Sequence, residues 1–391
     1  MSGGRLALVE ALEVTAQFAP VLGAEDVPVG LAAGRTPAVD LRSLVALPSA
    51  DTAAMDGYAV RAKDTPGRLR LVGESAAGAP LERALGSGEA AAVSTGAALP
   101  PGADAVARRE IVERDGSGGI EVADPIAPGR DRRLRAEVVS AGDLLRPGGS
   151  PLRAHEVGAL AAAGYVTVPC ARRPRVTILT TGDELVPLGS ALAPGAAYES
   201  NGVGIAAQAA AAGATVLGSM GVGDDLQATR DAVRRLLEGS GPDRPDVLVT
   251  CGGISVGDHD HVRAALRAEG VELAVDGVRM IPGRPTTLGR RDDQAVLALP
   301  GNPGSAAVAF HVLGRVLLGH RETWGLRARL DGALETRPDH VTLVRCARRA
   351  DALVPLANQR SHAVTSLAAA DALAWIDEAT DPAEVPFSPL P

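Results

Sequence analysis

The chain has 391 residues, more than one ordinary core accommodates, so two to four domains are expected. Its 39 basic and 47 acidic residues give a net charge of −8, which argues against a nucleic-acid partner. No run reaches the roughly 18 apolar residues that span a bilayer, and three distant cysteines without a Cys-x-x-Cys pair argue against disulfides and a structural zinc site.

From the N-terminus, Leu6, Val9, Leu12 and Ala16 fall on one helical face, which predicts an amphipathic helix over 5–17. Glu10 and Glu13 interrupt that apolar stretch, so it does not read as a signal peptide, and a cytoplasmic protein is expected. Short β-like runs punctuated by Gly and Pro ("LRLVG", "EAAAVST", "DAVARRE", "GGIEVAD") then predict a small all-β module at about 60–135. The arginine-rich "GRDRRLRAE" follows, and after it a helix in "AHEVGALAAAG".

From Arg173 strands and helices alternate: "RVTILT", "NGVGIAAQAAAAG", "ATVLGSM", "DLQATRDAVRRLLEG", "DVLVT", "DHVRAALRAEG", "QAVLALP", "GSAAVAFHVLGRVLLG". Such alternation predicts a doubly wound parallel α/β domain, placed at 173–327. Beyond it, "HVTLVRCAR" and "DALAWID" predict a small β-barrel or sandwich.

Ligands of open α/β sheets bind outside the carboxyl ends of the strands. There the sequence places "TTGDEL" with Asp183 and Glu184, "GVGDDL" with Asp224 and Asp225, "CGGISVGDHD", and "PGNPGS". Asp and Gly are ordinary turn and cap residues, and Asp224 or Asp225 alone reads as a helix cap. Four such loops in succession on one rim make that reading the weaker one. Glycine loops favour phosphate and carboxylates repel it, unless a divalent cation lies between; Mg²⁺ takes one or two carboxylates plus phosphate oxygens. Gly252, Gly253 and Ser255 would then face the anion, and Asp258 and Asp260 the metal or an attacking water. Neither G-x-G-x-x-G nor a Walker lysine is present, so the expected ligand is a nucleotide or phosphorylated cofactor bound in another way. His259 and His261 point apart and read as ordinary histidines. Cys251 has no evident base beside it and reads as a small buried hydrophobe.

The motifs "DTAAMDGYAV", "STGAALPPGADAVARRE", "RPRVTILTTGDELV", "YESNGVGIAAQ", "DVLVTCGGISVGDHDHV", "MIPGRPTTLG" and "ALPGNPGSAAVAF" stand in the order seen in the molybdopterin molybdenumtransferase family, which includes the E domain of gephyrin. The tail "NQRSHAVTSLAAADAL" is similar to that family's C-terminal pattern, so the resemblance covers nearly the whole chain. It implies a homodimer of four-domain subunits: an elongated, partly helical domain I from 1–50 and 136–172, a β domain II at 51–135, the α/β domain III at 173–327, and a barrel domain IV at 328–391. It implies insertion of molybdate into adenylylated molybdopterin with release of AMP, assisted by Mg²⁺, and molybdopterin adenylyltransferase as a candidate protein partner.

By position, Asp51, Thr95, Glu184, Asp225 and Asp260 match the family's catalytic residues, with Asp225 and Asp260 on the metal. Glu110, Gly182, Asp183, Ser200, Asn201, Gly252, Gly253, Ser255 and Gly257 match substrate-binding positions. So do Pro282, Gly283, Arg284, Pro285, Pro300, Gly301, Asn302 and Ser305; Ser361 matches a serine that reaches molybdate, and Arg345 or Arg337 an arginine there. The family's "KPGKP" is "IPGRP" here, with Ile281 and Arg284 at its lysines, and its "NIRxxGED" is "DRRLRAEV", with Ala136 and Val138 at its Gly and Asp. These departures supply an alternative: a catalytically weakened relative serving as a dimeric protein-binding scaffold.

Overall fold

A computed structural model describes residues 5–114, 116, 118–254, 261–320, 324–332 and 336–390. The chain divides into two compact units, one of residues 1–23 with 172–391 and one of residues 24–171.

The first unit is built on a six-stranded sheet: β1 (Arg175–Thr181), β2 (Thr215–Val222), β3 (Val247–Cys251), β4 (Glu272–Asp276), β5 (Thr287–Arg291) and β6 (Gln294–Leu299), in the order β2-β1-β3-β6-β5-β4. β2, β1, β3 and β6 run parallel, as the alternation predicts. The sheet as a whole is mixed, which corrects the expectation of a wholly parallel one: β5 pairs antiparallel with β6, and β4 antiparallel with β5. The cause is a tight reversal at Arg291–Gln294, where Asp292 takes φ +54°, a conformation Asp tolerates in two-residue hairpin turns.

β3 and β6 are buried along their whole length, so they read as continuous apolar runs. Successive residues serve opposite faces. Ile178, Val249 and Leu297 join a core with Ile205 of α2 (Asn201–Ala211), Phe310, and Leu8 and Ala11 of α1 (Leu8–Gln17). Leu179, Leu248 and Val296 join another with Val233 of α3 (Leu226–Leu237) and Leu266 of α4 (Val262–Ala268). The N-terminal helix thus packs within the α/β unit, because its apolar stripe finds its core there.

α5 (Pro303–Ala309) continues through a π-helical turn, Phe310–Gly314, into Arg315–Leu317. A closed barrel follows, formed by Leu326–Leu330, Val341–Arg349, Ala352–Pro355, Ala372–Ile376 and Val385–Pro389; pairing of the second and fourth of these closes the ring. A two-residue strand, Met280–Ile281, joins it beside Val341–Thr342.

In the second unit the chain leaves and returns along itself. Ala24–Pro28 pairs with Thr167–Ala171, Leu41–Arg42 with Leu144–Arg146, and Thr52–Ala53 with Arg132–Arg133. Between Ala53 and Arg132 lies a six-stranded sheet from Gly57–Val60 to Gly119–Val122, the all-β module the sequence predicts. The expected helix forms at Ala154–Ala162. Among the described residues no helix is long and apolar enough to cross a membrane.

Candidate functional site

The carboxyl ends of β1, β3 and β6 open into a cavity of about 660 Å³. Its walls include Gly182, Glu184, Ser200, Asn201, Gly252 and Gly253 from the third to fifth motifs, and Pro285, Pro300, Gly301, Asn302 and Ser305 from the last two. With Asp224, twelve positions singled out in the sequence therefore converge on one space.

The glycines are there for steric reasons. Gly252 and Gly253 take φ +96° and +62°, and β1 presses against them. A Cβ on Gly252 would meet the Thr181 carbonyl oxygen at 2.6 Å, and one on Gly253 would meet Val262 Cγ2 at 2.8 Å. The turn after β3 thus passes bare backbone over the end of β1. Thr181 also lines the cavity, and its hydroxyl is buried with no hydrogen-bond partner among the described residues. Across the opening, Asn201 Nδ2 donates to the Gly301 carbonyl at 2.7 Å, tying the start of α2 to the loop after β6.

The carboxylates differ from one another. Glu184 and Asp224 line the cavity. Asp183 and Asp224 are cross-linked, the Asp224 amide donating to Asp183 Oδ1 at 3.0 Å and the Asp183 amide to Asp224 Oδ2 at 3.4 Å. Asp225 is the N-cap of α3, its Oδ1 accepting from the Ala228 amide at 2.7 Å. Ser255, Gly257 and Asp260, with Asp258 and His259, lie outside the described residues. Among the described residues no group of three or more His, Cys, Asp or Glu could hold a metal by itself.

Several expected residues lie elsewhere in this unit. Pro282, Gly283 and Arg284 form the connection from Met280–Ile281 toward β5, with Arg284 exposed. Ile281 is half-buried beside Thr342. Arg345 is fully buried, and its guanidinium donates to Gln359 Oε1 and to the carbonyls of Arg360 and Ala363. Ser361 sits in the loop so held, its carbonyl accepting from the Ser305 amide at 3.1 Å. Cys251 is buried at the end of β3, where desolvation pushes its thiol far up, as a small hydrophobe would be placed.

Asp51, Thr95 and Glu110 belong to the second unit. Asp51 accepts from the Arg135 amide at 2.7 Å and pairs with Arg132, and these contacts hold its carboxyl below the usual range. Thr95 donates through both its amide, at 2.7 Å, and its hydroxyl, at 2.9 Å, to Asp56 Oδ1. Asp56, not singled out in the sequence, is thereby held below the usual carboxylate range, mainly by the Thr95 amide. Glu110 is exposed in the turn Arg109–Ile111.

The cavity has lining residues the sequence reading did not select, among them Thr181, Leu185, Tyr198 and Ile254. Tyr198 stands in "YESNG", and a two-stranded pairing of Leu185–Val186 with Ala197–Tyr198 brings it round to the opening.

The fold and cavity define a multidomain α/β protein with a candidate ligand site at the carboxyl edge of its central sheet. Residues 6–164 match the family model "MoeA N-terminal region (domain I and II)", and residues 177–320 match "Probable molybdopterin binding domain". A molybdopterin molybdenumtransferase of Nostoc is 35% identical over 296 residues, covering 73% of this chain and 66% of that protein. Molybdopterin molybdenumtransferase 2 of Mycobacterium tuberculosis is 33% identical over 303 residues, covering 74% of this chain and 73% of that protein. A crystal structure of the molybdopterin biosynthesis MoeA protein of Pyrococcus horikoshii superposes with a TM-score of 0.83 at 31% identity, covering 98% of each chain. The chain belongs to the molybdopterin molybdenumtransferase family. Its match spans about two thirds of the length of the Nostoc relative and of a similar Bacillus subtilis one, 66% and 65%.

Proposed function

We propose that this protein inserts molybdate into adenylylated molybdopterin, producing molybdenum cofactor and AMP. One observation carries the reading: within the segment that matches a molybdopterin-binding model, glycine turns and carboxylates from four strand ends surround a single cavity. Its 660 Å³ is within the range of small-molecule sites.

In this reading the bare backbone at Gly252–Gly253 approaches the phosphate bridge between pterin and adenylate, and Ser255 and Gly257 are further substrate-binding positions. Asn201, Asn302 and Ser305 orient the substrate. Asp225 and Asp260 would hold a Mg²⁺, which would neutralise the phosphate oxygens. Glu184 orients the water that attacks phosphorus as the phosphoanhydride bond breaks. Molybdate is a substrate, bound near Pro282–Pro285 and the Ser361 loop. We further infer a four-domain subunit acting as a cytoplasmic homodimer, in which Asp51, Thr95 and Glu110 serve the partner's site, and delivery of substrate by a molybdopterin adenylyltransferase. The scaffold alternative is not favoured, because the matched relatives carry transferase names.

Purified protein given adenylylated molybdopterin, Mg²⁺ and molybdate should release AMP and activate an apo-molybdoenzyme; failure to do either under saturating substrate rejects the reading.

A further inference from the structure

We propose that Arg345 is a positioning residue: it locks the 359–363 loop of the barrel onto the start of α5 and so fixes one wall of the cavity. The inference rests on the cavity being the substrate site.

Arg345 belongs to the barrel strand Val341–Arg349 and has no exposed surface. A buried cation must be hydrogen-bonded throughout or it destabilises the fold. Here carbonyl dipoles do the work. Nε donates to Gln359 Oε1 at 3.3 Å, Nη1 to the Ala363 carbonyl at 3.2 Å, and Nη2 to the Arg360 carbonyl at 3.1 Å. Gln359 is itself fixed, accepting from the Arg345 amide at 3.0 Å and donating to the Arg345 and Leu356 carbonyls, both at 2.8 Å. The guanidinium fork therefore grips the loop on both sides of Ser361.

Ser361 transmits the grip. Its carbonyl accepts from the Ser305 amide at 3.1 Å, and Ser305 lines the cavity. Gly304 lets the loop come this close: a Cβ there would stand 2.7 Å from the Ser361 oxygen and 3.0 Å from Arg345 Nη1. Arg345 itself does not line the cavity, and its donors are directed to the loop. The Ser305 amide is likewise committed to the Ser361 carbonyl.

The test compares Arg345→Lys, Gly304→Ala and the double variant by AMP affinity in calorimetry, by half-saturating adenylylated molybdopterin, and by melting temperature. Lysine keeps the charge but cannot span three acceptors. Alanine at 304 changes no charge, favours the helix and pushes the loop away. Each single variant should weaken AMP binding roughly tenfold, the effect of one lost contact to a well-placed group. Because both break the same contact, the double variant should be no worse than the weaker binder of the two. Wild-type affinity in Arg345→Lys, or multiplied losses in the double variant, overturns the inference. If the singles bind normally while Asn201→Ala does not, the latch fails and the cavity reading stands. If Asn201→Ala also binds normally, both fall. Should Arg345→Lys not fold, Gly304→Ala alone decides: normal AMP binding there refutes the latch.

Discussion

The side-chain amide of Asn201 donates to the carbonyl of Gly301 at 2.7 Å, joining the first residue of α2 to the loop after β6 across the mouth of the cavity. The two residues are 100 positions apart in the chain, so the contact is a product of the parallel sheet order. Asn201→Ala removes the donor while leaving the helix start able to form. AMP affinity should fall about fivefold to tenfold, in line with one hydrogen bond of ~1 kcal/mol, and the melting temperature should move little. Titration calorimetry beside a thermal melt checks both.

The glycine turn predicts a contrast between sites of similar backbone conformation. Gly253 and Gly270 both take positive φ, +62° and +80°. A Cβ on Gly253 collides with Val262 Cγ2 at 2.8 Å, whereas one on Gly270 has nothing within 4 Å. Gly270→Ala should therefore cost only the strain of the left-handed conformation, about 1–2 kcal/mol, and keep AMP binding. Gly253→Ala should cost about 1–3 kcal/mol and lose binding as well. Equal binding in the two variants would contradict the close approach at the turn.

Asp225 combines a cap with a carboxylate, and two substitutions separate the roles. Its Oδ1 accepts from the Ala228 amide at 2.7 Å. Asp225→Ala should lose about 1 kcal/mol of stability with the cap. Asp225→Asn keeps the cap and removes the charge, so stability should stay near wild type while Mg²⁺-dependent turnover falls. Full turnover in the Asn variant would confine Asp225 to capping α3.

The Asp51 carboxyl is held below its ordinary value of 3.8, first by the Arg135 amide and also by Arg132. Protonation is thus less favourable in the folded chain than in the unfolded one. The stabilisation is complete above pH 3.8 and is lost as pH falls through the lowered value. Asp51→Asn removes this dependence. Acid unfolding followed by circular dichroism should be steeper below about pH 4 in wild type than in the variant; identical acid limbs would contradict the pairing.

Much of this architecture was legible in the sequence because the α/β unit keeps its periodicities distinct. β3 and β6, buried on both faces, are unbroken apolar runs, while α3 shows a clear amphipathic pattern. The antiparallel pair β4 and β5 escaped: β4 does alternate, with Glu272, Ala274 and Asp276 outward and Leu273 and Val275 inward, but over only five residues and with an alanine on its outer face, while β5 is buried at its start and ends in two arginines. Only "RRDDQ" marks their geometry, through the turn at Asp292. At the site, glycines were legible because close backbone approach demands them. Thr181 and Tyr198 were not, since which strand-end residue turns inward depends on register and on loops closing far along the chain. Arg345 shows the limit most clearly. The sequence shows a cation in a barrel strand, but not that closure of the barrel buries it and sets its guanidinium against carbonyls of its own loop.

The central claim is the transfer reaction, and single-turnover release of AMP tests it most directly. Protein in excess over adenylylated molybdopterin, with Mg²⁺ and molybdate, should release one AMP per substrate and yield cofactor that activates an apo-molybdoenzyme. Glu184→Gln should slow release by about 10²-fold or more, as loss of a group acting in the transition state does. Substrate that stays bound and intact in the wild-type protein under these conditions would contradict the account.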